Sequence, residues 1–379
     1  MRESNEAIRL YVRKLEVISD LKSTLDRESI RRASKDPHSF RMPRPCGMTV
    51  HPGIGCIHGC IYCYLPDMGI NNLSVEPYRL SGDELAYALA INPYVVPERT
   101  LAAFGSITEP LLPQVVDKTL EYLRSIGKWL NLPSQLSTKV VINDELASNL
   151  KLLEPDLSVL VTVVTIKYHK LIEPRAPNPL SRFEGMLVAS KHGLRTDLFL
   201  RPIIPGVTNY ELSDLLKLAK EHGAKGVITG SLRVTRRIVE ELRRAGLLND
   251  ELRKLLPRRL TNKQVSVSTS YIKELVKKLS EYLGLEFMRS ACSANIKAHN
   301  MHCNLCRFGP CGSDSVLSMD GVISEASEFL EYLGFRVINV ASAGNAVLVS
   351  VRGNVRNLMI NPPYFLSEVF KVKFKIKYL

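Results

Sequence analysis

The stretch His51-Pro52-Gly53-Ile54-Gly55-Cys56-Ile57-His58-Gly59-Cys60-Ile61-Tyr62-Cys63-Tyr64-Leu65-Pro66 decides how the rest of the chain is read. Cys56, Cys60 and Cys63 stand at CxxxCxxC spacing, in a glycine-rich loop that follows a short apolar run. Thiolate is the soft ligand that iron–sulfur clusters take, and three thiolates hold three irons of a 4Fe-4S cluster while one iron stays open. Runs with four cysteines complete the ligation and carry electrons only, and paired CxxC knuckles hold zinc. Spacing alone also admits a structural metal site with His51 or His58 as a fourth ligand, or three unrelated buried thiols.

CxxxCxxC with an aromatic residue before the last cysteine, here Tyr62, resembles the signature of the radical S-adenosylmethionine (SAM) superfamily. The resemblance implies an open iron that chelates the amino and carboxylate groups of SAM. It also implies reductive cleavage to a 5'-deoxyadenosyl radical that abstracts hydrogen from substrate, with the aromatic ring packed near the adenine.

Composition sets the frame. At 379 residues and 45% hydrophobic, the chain has enough apolar surface for one large core and a small appended unit. The opening MRESNEAIRLYVRKLEVISD has no apolar signal region, and every uninterrupted apolar run is too short to span a bilayer. No membrane association is expected. The 8 cysteines cluster in two places, which suits metal ligation in a reducing cytoplasm better than a disulfide framework. A net charge of +13 makes a polyanionic partner plausible through counterion release.

Along the chain, residues 1–45 read as a helical arm and linker, with Ile8, Val12, Leu15, Ile18 and Leu21 at helical spacing. Cys46 reads as a buried thiol. Residues 46–230 alternate strand-like runs with helical segments, so the expected fold is α/β, a partial (β/α)6 TIM-type barrel. Its strands are drawn at residues 48–50, 101–104, 139–142, 157–166, 198–200 and 227–229, with helices at 82–90, 114–125, 181–192 and 210–222. Reactive groups in such a barrel gather where the strands end.

The segments after those strands are Gly105-Ser106-Ile107-Thr108-Glu109-Pro110, Ser137-Thr138-Lys139, Leu171-Ile172-Glu173-Pro174-Arg175-Ala176-Pro177 with Arg182, and Arg201-Pro202-Ile203-Ile204-Pro205-Gly206. Their order and spacing over residues 45–230 resemble the branch of radical SAM proteins that includes spore photoproduct lyase. The match implies that Cys56, Cys60 and Cys63 hold the cluster and that Tyr62 and Tyr64 lie near SAM. Ser106, Thr108 and Lys139 would line the pocket, Glu109 would accept from the ammonium or a ribose hydroxyl, and Arg201 would pair with the carboxylate. Glu173, Arg175 and Arg182 fit either SAM contacts or a structural ion pair. One departure is that Ser106 stands where the lyase has a hydrogen-donating cysteine, and no cysteine occurs between Cys63 and Cys292. A hydroxyl is a poor hydrogen-atom donor, so the lyase is a relative in chemistry.

Residues 231–290 read as a basic helical segment completing the core. Arg233, Arg236, Arg237, Arg243, Arg244, Arg253, Lys254, Arg258, Arg259 and Lys263 outnumber Glu240, Glu241, Asp250 and Glu251. The basic stretch, residues 231–263, is either a solvated amphipathic helix pair or a polyanion-binding face, and with no aromatic residues in it any contact would be to phosphate rather than bases. Residues 291–313 carry Cys292, Cys303, Cys306 and Cys311, a metal-binding pattern for a second 4Fe-4S cluster or zinc. His299 and His302 are substitute ligands or plain loop histidines. Residues 314–379 read as a small α+β domain: a helix at 324–333, strands at 337–340 and 347–351, and a last strand at 370–379 with lysine alternating on one face.

These readings combine into a radical SAM enzyme of lyase or transferase type acting on nucleic acid, reduced by a donor such as ferredoxin or flavodoxin. The alternatives are the same enzyme acting on a protein or small metabolite, and a nucleic-acid-binding protein with structural clusters.

Overall fold

The computed structural model describes residues 5–44, 47–313, 318–343, 346–353, 355 and 358–379; Cys46 lies outside them. Seven strands form the central sheet: β1 (Met48–Val50), β2 (Ala102–Phe104), β3 (Ser134–Thr138), β4 (Ser158–Thr162), β5 (Arg195–Ile203), β6 (Gly226–Ser231) and β7 (Glu286–Met288). Each pairs in parallel with the next in chain order. Strands added one after another on the same side curl toward a barrel, and here β1 and β7 are the two edges, so the arrangement is a partial TIM-type barrel.

The third strand is Ser134–Thr138 rather than the more apolar Val140-Val141-Ile142 that follows it. Buried Ser134 and Gln135 begin that strand, and their polarity hides it from a hydrophobicity reading. The sheet also gains β7, from the segment read as helical.

The outer helices follow from their sequence signals. Gly82–Ile91 is opened by a capping box between Ser81 and Glu84, which satisfies orphan amides at both positions. Pro179–Lys191 starts at a proline, behind an Asn178 side chain that accepts from the Leu180 amide. Asp144–Leu153, absent from the sequence reading, is capped by Asn143. With these helices outside, β4 is buried along its whole length.

Inside, Leu160, Ile228 and Met288 from three strands pack with Ala294 of the helix Ala291–Ala298. Gln135 Nε2 donates to the Ala291 carbonyl at 2.8 Å, and Asn295 Nδ2 donates to the Pro133 carbonyl at 2.9 Å. This helix therefore closes the barrel at the end where the strands begin.

The C-terminal unit is a three-stranded sheet of Arg336–Ala343, Ala346–Arg352 and Lys373–Tyr378, covered by helices Met319–Tyr332 and Pro362–Phe370. The N-terminal helix Glu6–Thr24 joins the same core through Ala7 and Leu10. Lys373, Lys375 and Lys377 face solvent on the edge strand. Lys371 departs from the expected stripe: it is buried, paired with Glu368 at 2.7 Å and donating to the Arg99 carbonyl.

Candidate active site

The cysteine loop sits above the carboxyl end of β1. Gly53–Cys56 pairs antiparallel with Ser74–Pro77 and delivers Cys56 to the barrel mouth. Gly55 has φ +92° and lies so close to the Ser74 carbonyl that a Cβ would meet its oxygen at 2.3 Å, so only glycine serves there. The loop is pinned on both sides. Gly55 N donates to the Ile107 carbonyl at 3.1 Å, while Ile61 N donates to the Ile172 carbonyl at 3.0 Å and Arg175 N to that of His58 at 3.2 Å.

Burial pushes the Cys56 thiol up to about 11 and the Cys60 thiol up to about 12; Cys63 is raised by the same cause. Cys63 adds to the rise at Cys56, and Cys63 and Cys56 add to that at Cys60, while Lys139 works in the opposite direction on all three. A site of this kind stays protonated until a metal displaces the protons. Among the described residues no three side chains converge at single-ion distance. A cube that takes one thiolate per iron instead needs its thiols spread over separate corners.

A buried charge network backs the loop. Tyr62 Oη donates to Glu173, whose carboxylate lies 2.6 Å from Arg182 Nη1. Both charged groups are wholly buried, and Arg182 also donates to the Pro177 and Thr162 carbonyls at 2.8 and 2.9 Å. Burial works against the Glu173 charge, but Arg182, Lys139 and the Tyr62 hydroxyl together hold its carboxyl below the ordinary value. The pair thus anchors the aromatic residue beside Cys63.

A second carboxylate organises the opposite wall. Glu109 accepts from Thr138 Oγ1 at 2.6 Å and from the Lys139 amide at 2.8 Å, with His58 Nε2 at 3.6 Å. Lys139 Nζ stands 5.8 Å from the centre of the Tyr62 ring. Burial disfavours its charge, yet Cys60, Glu173 and Glu109 raise it above the ordinary lysine value. Thr108 Oγ1 and both ring nitrogens of His58 are buried without a hydrogen-bond partner. Tyr64 Oη donates to the Ser106 carbonyl, and Ser106 Oγ lies 3.3 Å from His51 Nδ1.

The structure brings together Cys56, Cys60, Cys63, Tyr62, Tyr64, Ser106, Thr108, Glu109, Lys139, Glu173 and Arg182. Arg201 is exposed at the end of β5, near enough for its charge to act on Tyr64. Arg175 joins by its backbone, and its side chain is exposed. Two contributors carry no motif of their own. His58 is buried against Glu109, and Arg237 turns from the expected basic face inward to Asp67 at 2.8 Å and to the Cys63 carbonyl.

The other cysteines lie at the far end of the strands. Cys303 faces Cys311 across the short ladder formed by His302–Cys303 and Cys311–Gly312. Ser293 Oγ, on the helix that closes the barrel, is 3.3 Å from Cys311 Sγ, and Ser290 Oγ is 3.2 Å from Cys292 Sγ. Cys306 lies in the loop of that hairpin. Burial raises the Cys303 thiol.

The fold of this chain, a partial barrel of seven parallel strands with the three-cysteine loop above the first, is similar to that of spore photoproduct lyase. Spore photoproduct lyase complexed with dinucleoside spore photoproduct superposes with a TM-score of 0.54 at 14% identity, over 68% of this chain and 84% of that one. A cysteine-to-serine mutant of the lyase gives 0.53 at 15%, over 66% and 79%. No family model matches the chain. An uncharacterized protein of Acidianus two-tailed virus, ORF301, is 26% identical over 171 residues, so the match spans 42% of this chain and just over half, 56%, of that relative. No helix among the described residues is long and apolar enough to cross a membrane.

Proposed function

We propose that the chain is a radical SAM enzyme whose cluster is held by Cys56, Cys60 and Cys63, and that it acts on nucleic acid. The observation that carries the reading is the buried polar set of Thr108, whose hydroxyl has no hydrogen-bond partner, and His58, which faces Glu109 at 3.6 Å, beside Lys139 and next to three thiols at the barrel mouth. Most buried polar groups in folded proteins are hydrogen-bonded, so this cluster at the mouth fits a polar ligand. When bound, cluster and SAM would supply a 5'-deoxyadenosyl radical. Glu109 and Lys139 would meet the ammonium and carboxylate of the amino-acid moiety, Thr108 and His58 would complete their hydrogen bonds, and Tyr62 would give the adenine an apolar wall. Glu173 and Arg182 act through Tyr62.

The nucleic-acid reading rests on the charge pattern after β6. Arg243 and Arg244 are neutralised by Glu240 and Glu241, whereas Arg236, Arg258, Arg259 and Lys263 have no carboxylate partner among the described residues. The structurally similar spore photoproduct lyase is complexed with a dinucleoside spore photoproduct. With Ser106 in place of a thiol, direct repair by hydrogen donation from this position is disfavoured. Cys292, Cys303, Cys306 and Cys311 would hold a second metal, a 4Fe-4S cluster or zinc, at the closed end of the barrel, away from the mouth.

Anaerobic reconstitution with iron and sulfide, reduction, and assay of 5'-deoxyadenosine tests the proposal. Wild type is expected to cleave SAM, and Cys56→Ala, Cys60→Ala and Cys63→Ala are each expected to lose the activity. A wild-type protein that carries the first cluster and leaves SAM intact would refute it.

A further inference from the structure

We infer that the groove formed by Arg236, Arg259, Leu260, Thr261, Asn262 and Lys263 is the seat of a backbone phosphate of the substrate strand, a deepening that rests on the nucleic-acid reading above. The groove has a volume of about 510 Å³ and is lined by three cations and no carboxylate. Arg236, Arg259 and Lys263 are exposed and, among the described residues, without an ion-pair partner. The neighbouring Arg243 and Arg244 share the same short segment but are neutralised within their own helix, Arg236–Arg244. Three of the segment's unpaired cations are thus gathered around one concave surface.

The groove has a defined shape. The Arg236 amide donates to the Thr261 carbonyl at 3.0 Å, which fixes the helix start against the opposing loop. The Lys263 amide donates to Thr261 Oγ1 at 3.1 Å and turns that loop back. Two guanidinium forks and an ammonium around a concave space match a phosphodiester, which offers anionic oxygens and no hydrogen-bond donor. No aromatic ring lines the groove, so contact there is to phosphate and independent of sequence.

Its location ties it to the chemistry. Arg237, the next residue after Arg236, donates to the Cys63 carbonyl and pairs with Asp67. The apolar side of the helix packs with Ile172, Val207 and the half-buried Ile61 and Tyr62 of the cysteine loop. A phosphate held in the groove is therefore rigidly referenced to the cluster loop. Binding energy gained there, remote from the reacting atom, can position the nucleotide at the mouth.

The test compares Arg236→Gln/Arg259→Gln/Lys263→Gln with the control Arg243→Gln/Arg244→Gln in the full-length reconstituted protein, after equal iron content and far-UV circular dichroism confirm the fold. Binding of fluorescein-labelled, mixed-sequence single-stranded DNA, RNA and duplex is followed by anisotropy across a salt series. The triple variant is expected to bind at least about 10-fold more weakly at low salt, and its salt slope to fall by about 0.7–0.9, the contribution of one lost phosphate contact. The control is expected to keep the wild-type slope. A triple variant that binds like wild type, or a control that weakens as much, overturns the groove assignment and leaves the enzyme reading standing. Wild type that cleaves SAM but binds none of the oligonucleotides overturns the nucleic-acid reading itself. Displacement of the labelled strand by polyglutamate as readily as by unlabelled oligonucleotide overturns the phosphate assignment in favour of an acidic protein partner.

Discussion

Arg182→Ala is the perturbation whose consequence can be worked furthest. Arg182 is wholly buried, as is Glu173, and the two lie 2.6 Å apart. Removing the cation leaves Glu173 with the Tyr62 hydroxyl and the more distant Lys139 as its only support. Breaking a buried pair from one side costs about 3–5 kcal/mol, because the remaining charge is uncompensated. With an unfolding entropy near 2.1 cal/mol/K per residue, the whole chain would melt about 4–6 °C lower. The pH dependence gives the sharper reading. In wild type the Glu173 carboxyl is held below its ordinary value, so its stabilisation is present above about pH 4.3 and fades as pH falls through the lower folded value. In the variant, burial dominates and the folded value rises above the unfolded one. The penalty is then largest at neutral pH and shrinks on acidification, when the carboxyl takes up a proton. Urea unfolding of the apo protein at pH 7 and pH 5 measures both quantities, and the double variant Arg182→Met/Glu173→Gln is expected to recover much of the loss. A single-variant penalty below about 1 kcal/mol, or one that does not shrink toward pH 5, would refute the argument.

Further outcomes follow from two other features. Lys14 is buried, donates to the Asn92 and Val95 carbonyls at 2.7 Å, and burial pushes its ammonium down to about 7. At this group the unfolded chain binds one more proton than the folded one between about pH 7 and pH 10.4, so the Lys14 contribution to stability rises with pH across that window. Lys14→Met is expected to flatten the rise, as read by urea midpoints at pH 7 and pH 9. For the second cysteine set, Cys303→Ser/Cys306→Ser is expected to lower total metal without abolishing deoxyadenosine formation, because the set lies at the other end of the strands from Cys56. Metal analysis and the SAM assay on one preparation check both halves.

Much of the architecture was readable in the chain because its signals are local. The Ser81–Glu84 capping box, the lysine alternation of residues 373–377 and the cysteine loop each name their element within a few positions. What escaped is set by contacts distant in sequence. Strand β3 opens with Ser134 and Gln135, whose polarity is explained only by hydrogen bonding inside the barrel, where Gln135 reaches the Ser158 hydroxyl and the Ala291 carbonyl. Strand β7 is three residues long and exists because β6 offers it an edge. In the candidate site, the residues that follow strands came together at the mouth, as that position in a barrel dictates. Arg237 escaped because its inward turn depends on Asp67, 170 positions away, and from sequence alone it is one more cation in a basic run. The opposite placement of the two cysteine sets is likewise a property of the closing helix, not of any spacing.

The N-terminal helix has a consequence for how the molecule is assembled. Its cap residue Asn5 donates to the Glu325 carbonyl at 2.9 Å, and the Glu6 amide donates to the Glu325 carboxylate at 3.0 Å. The same helix sends Lys14 into the barrel-side loop at Asn92 and Val95, while Arg9 reaches Glu98. It is therefore the clasp between two bodies that leave the ribosome far apart in time. A barrel can condense as soon as its strands are synthesised, but apart from Val96 the Ala7 and Leu10 face has no cover until residues 322–374 have emerged. Closing contacts of that sequence separation is slow, and apolar surface awaiting them is exposed to aggregation. During synthesis the vulnerable part of this protein is thus this helix, which has to wait for a unit made long after it.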